Sequence, residues 1–161
     1  MKLKKRIATL VLTLVVTLTA ATGVSASQGF SYSSIKVEHG KQAYIAPATA
    51  NQNYKYVLNY MTSKSGSAAV HSSYYTYFDG SMQNLMSSSI KTTEAGSAFW
   101  RPANVSGTPS GWNIVADPGG CPAVNSSGNY CALKGSSYAL YLKNNHIAAS
   151  FTITGQFTFT N

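Results

Sequence analysis

The acidic side chains are the first groups in this sequence that could do chemistry, because a pair of carboxylates supplies the acid and the base or nucleophile of glycoside hydrolysis. After residue 26 the chain has four carboxylates: Glu38, Asp79, Glu94 and Asp117. Three of them stand in or beside turn-forming segments and the other precedes an Ala-Gly pair, so each is explained as an ordinary surface residue. The sequence therefore does not predict a carboxylate-pair enzyme.

The three histidines and the many serines form no catalytic or metal-binding pattern. His39, His71 and His146 lie far apart, and none belongs to an HExxH or similar spaced motif. No Gly-x-Ser-x-Gly sequence is present, so a serine hydrolase has no local support. We expect no enzymatic activity, no metal and no cofactor.

The two cysteines, Cys121 and Cys131, are expected to pair with each other. A disulfide is the economical state for two cysteines in an exported chain. It would close a short loop and stabilise the fold by about 2–3 kcal/mol in the chain-entropy picture. A catalytic thiol is the alternative, but the sequence next to Cys121 offers no base.

The aromatic residues give the strongest functional hint. The chain has eleven tyrosines, together with Trp100 and Trp112. Their rings combine a flat apolar face with a polar tip, which suits sugars, peptides and membrane interfaces. Packing inside a core and between strands accounts for most of them. Because glycine and proline around both tryptophans predict loops, we expect Trp100, Arg101 and Trp112 to be exposed and to bind a ligand.

The amino terminus predicts export. Residues 1–26 begin with a basic cluster, continue with an uncharged apolar run and end in Val24-Ser25-Ala26, the pattern of a helical secretory signal peptide. The whole chain has a formal net charge of +8, and four of its basic residues lie in this segment, which leaves +4 for residues 27–161. That charge favours anionic cell-wall polymers or membrane surfaces, but without a basic block we expect no nucleic-acid binding.

Alternating apolar and polar residues predict the strands that must position these groups. The clearest run is Ile147–Thr160, in which Gly155 falls on the apolar side and predicts a bulge or bend. Tyr138–Leu142 precedes it, and the Lys143–His146 segment between them predicts a hairpin. A second hairpin is expected where Ile35–Val37 and Gln42–Ile45 flank a turn, with Pro47 ending its second arm.

The middle of the chain predicts further short strands. They are Tyr54–Met61, Ala69–Phe78, Thr92–Trp100 and Trp112–Val115, and Asp79–Gly80 stops the second of them. Met82, Leu85, Met86 and Ile90 have helical spacing, which allows one short helix. We therefore expect a single secreted all-β domain, residues 27–161, folded as an antiparallel β-sandwich or small barrel with at most one short helix.

Three functions remain open at this point. The favoured one is a non-catalytic secreted protein that binds a cell-wall polymer, a glycan or an anionic membrane surface. The second is a bacteriocin or membrane-active toxin, because Ile147–Thr160 is long enough to cross a bilayer as a β-strand. The third is a structural matrix or coat protein.

Overall fold

The computed structural model describes residues 27–83, 89–116, 119–121 and 128–161. The predicted signal peptide, residues 1–26, lies outside this part of the chain, so export and the boundaries of the single domain stay predictions. Within the described ranges no helix is present, and hence none that is long and apolar enough to cross a membrane.

Ten β-strands form the described fold, which confirms the all-β prediction. They are β1 (Gln28–Val37), β2 (Gln42–Thr49), β3 (Tyr56–Ser65), β4 (Val70–Phe78), β5 (Ser81–Gln83), β6 (Ile90–Thr92), β7 (Gly96–Arg101), β8 (Gly119–Gly120), β9 (Ser137–Lys143) and β10 (Phe151–Thr160). The predicted strands over 54–61 and 69–78 correspond to β3 and β4. The segment 92–100 is divided between β6 and β7.

The strands are arranged in two curled sheets. The first sheet has the order β1-β10-β3-β7-β8, and the second has the order β2-β9-β4-β5, with β6 also pairing with β4. All pairs are antiparallel except β7 with β8. Consecutive strands often belong to different sheets, so the chain repeatedly crosses from one sheet to the other.

Both predicted hairpins are wrong for this reason. β1 pairs with β10 whereas β2 pairs with β9, and β9 and β10 themselves lie in different sheets. The segment Lys143–His146 does not form a tight turn between paired strands. Instead, the Asn144 side chain is fully buried and its amide nitrogen donates to Val37 O at 3.0 Å and to Ala149 O at 2.8 Å. Asn144 therefore joins the two crossing connections.

The one local hairpin among the described strands forms at Asp79–Gly80, between β4 and β5. Both turn residues have positive φ, 47° and 74°, as a two-residue turn of the type favoured by Asp-Gly requires. The helical spacing of 82–90 does not correspond to one helix, because its first residue, Met82, lies in β5 and its last, Ile90, lies in β6. Residues 84–88 are outside the described part.

Two irregularities shape the long strands. The pairing of β10 with β3 shifts register between Thr154 and Gly155, which confirms the predicted bulge. A Cβ on Gly155 would collide with Tyr60 O and lie 2.8 Å from the Tyr32 hydroxyl, so only glycine fits there. Pro47 does not end β2, contrary to prediction. It occupies a register shift in this edge strand, where a missing N–H costs no sheet hydrogen bond.

The core is formed by side chains from the facing sides of both sheets. Aromatic rings carry much of it: Tyr74 of the second sheet packs edge to face on Trp100 of the first at 5.2 Å, and Tyr138 packs likewise on Phe159 at 5.6 Å. Such contacts add about 0.5–1.5 kcal/mol each to the effect of burial alone. These ring contacts join the inner faces of the two sheets, and the outer faces lie outside this core.

Candidate functional site

Trp100 is not an exposed binding residue. It belongs to β7, where side chains alternate between the two faces, and it points into the core with no solvent exposure. The expectation of an exposed loop here is wrong, because the glycine and proline breaks begin only after Arg101. The neighbouring Phe99 points the opposite way and packs on the outer face of the first sheet.

Arg101 and Trp112 lie on that outer face and hold the segment that follows β7. The Arg101 guanidinium donates to Val105 O at 3.1 Å and to Gly107 O at 3.3 Å. The Trp112 ring is half-buried and meets Tyr60 edge to face at 5.0 Å. The structure therefore brings Arg101 and Trp112 to the same side of the sheet but places Trp100 on the other, so the three do not converge on a ligand.

The disulfide between Cys121 and Cys131 is confirmed, with Cα atoms 5.6 Å apart. Cys131 is fully buried, and its backbone N–H donates to Tyr54 O at 2.9 Å while its carbonyl accepts from the Tyr74 hydroxyl at 3.0 Å. The bridge thus ties the chain before β9 to both sheets. A disulfide is compatible with an extracellular location.

An open cleft of about 840 Å³ lies where β6 of the second sheet meets β7 and the segment after it. Its described lining includes one carboxylate, Glu94, and one amine, Lys91, among apolar side chains such as Ile90 and Phe99. Asp117 stands between two further lining residues, Ala116 and Gly119, but lies outside the described part of the chain. In the part of the chain that the structure describes, no group of three His, Cys, Asp or Glu side chains could hold a metal ion.

Three tyrosines form a cluster on the outer face of the second sheet. We call Tyr44 of β2, Tyr141 of β9 and Tyr75 of β4 the tyrosine face. The ring centroid of Tyr141 lies 4.8 Å from that of Tyr44 and 5.3 Å from that of Tyr75, and the centroids of Tyr44 and Tyr75 are 6.2 Å apart. Solvent-facing sides of antiparallel sheets are normally polar, so three rings packed together there are unusual.

The rings of the tyrosine face differ in exposure. Tyr75 is 9% exposed and lies deepest, Tyr141 is half-buried, and Tyr44 is 40% exposed. Ala139, which pairs with Tyr75 on this face, is fully buried, so side chains cover the sheet at this point. The cluster is a fixed surface with one ring presented to solvent.

The hydroxyls of this cluster stay protonated at any physiological pH. Burial, followed by the neighbouring hydroxyls of Tyr141 and Tyr44, raises the pKa of Tyr75 to about 12. Burial also raises the pKa of Tyr44 and of Tyr141. The Tyr141 hydroxyl donates to Gln42 Oε1 at 2.6 Å, which fixes an exposed amide beside the rings. The face therefore combines apolar ring surface with neutral hydrogen-bonding groups.

Basic side chains adjoin the tyrosine face. His71 of β4 is directly opposite Lys143 of β9 on one side and Lys91 of β6 on the other. Directly paired residues share a face, and Lys143 follows Tyr141 by two residues, so this basic row lies on the outer face beside the rings. Burial, followed by the charges of Lys91 and Lys143, lowers the pKa of His71.

Sequence reasoning missed this site although part of its signal was present. Tyr141 alternates with Leu140 and Leu142, so a strand with the leucines inside must place Tyr141 outside. The adjacent pair Tyr74-Tyr75 gives no such indication of which ring is buried. The meeting of β2, β9, β4 and β6 depends on pairings between strands far apart in the chain, which no local pattern encodes.

No protein-family model, curated protein or solved structure matches the chain.

Proposed function

We propose that this chain is an exported, non-catalytic β-sandwich protein that binds a glycan of the cell wall or extracellular matrix through the tyrosine face. The observation that carries the proposal is the packed cluster of Tyr44, Tyr75 and Tyr141 on a solvent-facing side of a sheet. A sugar has apolar C–H faces and a ring of hydroxyls. Aromatic rings with hydroxyl tips, next to the amide of Gln42, are complementary to both.

The rigidity of the cluster supports binding over a purely structural role. The rings hold one another at edge-to-face distances, and Gln42 fixes the Tyr141 hydroxyl, so little side-chain freedom is lost when a ligand is bound. Tyr44 gives the cluster an exposed ring at the edge strand β2, where a polymer has free access. Aromatic residues in such positions commonly dominate binding energy.

The experiment expresses the whole chain with its own amino terminus and determines the amino-terminal residue of any released protein. The recovered protein is then incubated with insoluble cell wall, chitin and anionic liposomes. We expect release with Ser27 first, and retention on a polysaccharide. A protein that stays inside the cell with residues 1–26 attached contradicts export, and retention only on liposomes contradicts glycan binding.

Tyrosine substitutions test the site itself. Tyr44→Ala should weaken retention about tenfold, which corresponds to about 1.4 kcal/mol. Phe78→Ala is the matched control, because Phe78 is also an exposed aromatic residue, 72% accessible, but lies at the β4–β5 hairpin. Equal binding by both variants would contradict the assignment of the tyrosine face.

A further inference from the structure

The basic row beside the tyrosine face suggests which glycans bind. We propose that Lys143, His71 and Lys91 form an anion subsite that makes this surface selective for glycan polymers bearing phosphate or carboxylate groups. The inference rests on the proposed function, since it names the chemical class of ligand for the same face.

The geometry of the row places the two lysines on either side of His71. Lys143, His71 and Lys91 stand directly opposite one another on the three neighbouring strands β9, β4 and β6. With strands about 4.8 Å apart, the two lysine positions are about 10 Å from each other. The row lies two residues along β9 from Tyr141, a step of about 7 Å. A single extended polymer can therefore contact the rings and the row together.

The row is not explained by stability. The two lysines stand on either side of His71, about 10 Å apart, where the repulsion between their positive charges opposes folding. Neither lysine of the row is held in an ion pair: within the described ranges the one ion pair is Lys36–Glu38 at 3.5 Å. Both lysines are exposed, so their positive field is available to a ligand.

The neighbours of the row favour a polymer over a lipid surface. Tyr44, Tyr141 and Gln42 all carry hydrogen-bonding groups, which a hydroxyl-rich chain can satisfy. The exposed apolar side chains suited to insertion into lipid, Phe78 at the end of β4 and Ile147 in the connection after β9, belong to neither the tyrosine face nor the row. Lys91 also lines the open cleft at the sheet edge, together with Glu94.

The test compares two forms of one wall preparation: cell wall carrying phosphate-rich teichoic acid, and the same wall after acid extraction of that polymer. At 50 mM salt the unsubstituted protein should bind the intact wall about tenfold more tightly than the extracted wall. The difference should vanish at 1 M salt, where the screening length falls to about 3 Å. Equal affinity for the two walls at low salt would overturn the proposal.

Two double lysine variants test whether the row itself causes the preference for intact wall. The double variant Lys91→Gln with Lys143→Gln should lose the preference for intact wall but keep its affinity for extracted wall. The control, Lys55→Gln with Lys134→Gln, removes the same net charge from exposed positions outside the row and should keep the preference. A preference that survives the first pair, or that both pairs abolish equally, overturns the subsite.

Competition separates the sources of negative charge and the possible failures. Soluble polyphosphate and polygalacturonate compete through phosphate and carboxylate respectively; displacement by either supports the subsite, and displacement by neither contradicts it. Binding to anionic liposomes that depends on the lysine pair would also overturn it.

Failure of the proposed function gives a different result: neither wall retains the protein, or Tyr44→Ala binds both walls like the unsubstituted protein.

Discussion

Replacement of Asn144 should loosen the two connections that cross between the sheets. Its amide nitrogen donates to Val37 O at 3.0 Å and to Ala149 O at 2.8 Å, and its Oδ1 accepts from the backbone N–H of His146 at 2.9 Å. The side chain is fully buried. Asn144→Leu keeps nearly the same volume but removes all three hydrogen bonds.

The expected loss follows from these bonds. A hydrogen bond within a protein contributes about 0.5–1.5 kcal/mol net, and a buried group left without a partner costs about 1–3 kcal/mol. Three such bonds give a decrease of about 2–4 kcal/mol in the free energy of unfolding. For a domain of this size that corresponds to a fall in Tm of about 10 °C. Urea unfolding followed by tyrosine and tryptophan fluorescence measures the change.

The neighbouring residue provides the control. Asn145 is exposed, and Asn145→Leu should change the unfolding free energy by no more than about 0.5 kcal/mol. Asn144→Asp should destabilise at least as much as Asn144→Leu at pH 7, because it places a carboxylate oxygen against two carbonyls. If Asn144→Leu is as stable as Asn145→Leu, these bonds do not hold the crossing connections and the reasoning fails.

Three further outcomes are expected. Trp100→Ala should lower the unfolding free energy by about 3–5 kcal/mol in denaturant titration, because it empties a fully buried site. Phe78→Ala, at an exposed position, should be near neutral, and equal effects of the two variants would contradict the core assignment. Replacing both Cys121 and Cys131 by Ser should lower the unfolding free energy by about 2–3 kcal/mol, to the value of the reduced protein. Equal unfolding free energies for the oxidised protein and the variant would contradict a stabilising bridge. The pKa of His71 is lowered from 6.5 in the folded protein, so the unfolded chain binds the proton more tightly and the free energy of unfolding should fall as pH drops through and below 6.5. His71→Gln should flatten this pH dependence. An unchanged slope in unfolding measured from about pH 7 to 5.5 would refute the assignment.

Local pattern was sufficient for strands but not for their partners. The alternation in the carboxyl-terminal segment predicts a strand with one buried face, and Phe151–Thr160 forms it with the expected bulge at Gly155. The preceding segment, 147–150, satisfies the same alternation but lies outside the strand, and Ile147 is 91% exposed. A period of two reports which side of a strand is apolar, and carries no information on which other strand it pairs with.

Turn residues were informative only where the turn is local. Asp79–Gly80 forms a two-residue hairpin, and both residues take the positive φ that such a turn requires. The segments around Gly40 and Asn144 contain similar residues but connect strands of different sheets. Their conformation depends on the buried amide of Asn144, whose partners lie up to 107 residues away in sequence.

The sequence by itself determined the all-β class, most strand positions, the Cys121–Cys131 bridge and the bulge at Gly155, because each depends on residue type and short-range spacing. Only the tertiary structure decided that Trp100 is buried, that consecutive strands cross between sheets, and that Tyr44, Tyr75 and Tyr141 meet beside a basic row. These features arise from pairing between distant strands. The free energy of that pairing comes from burying both inner faces together, a quantity that no single segment contains.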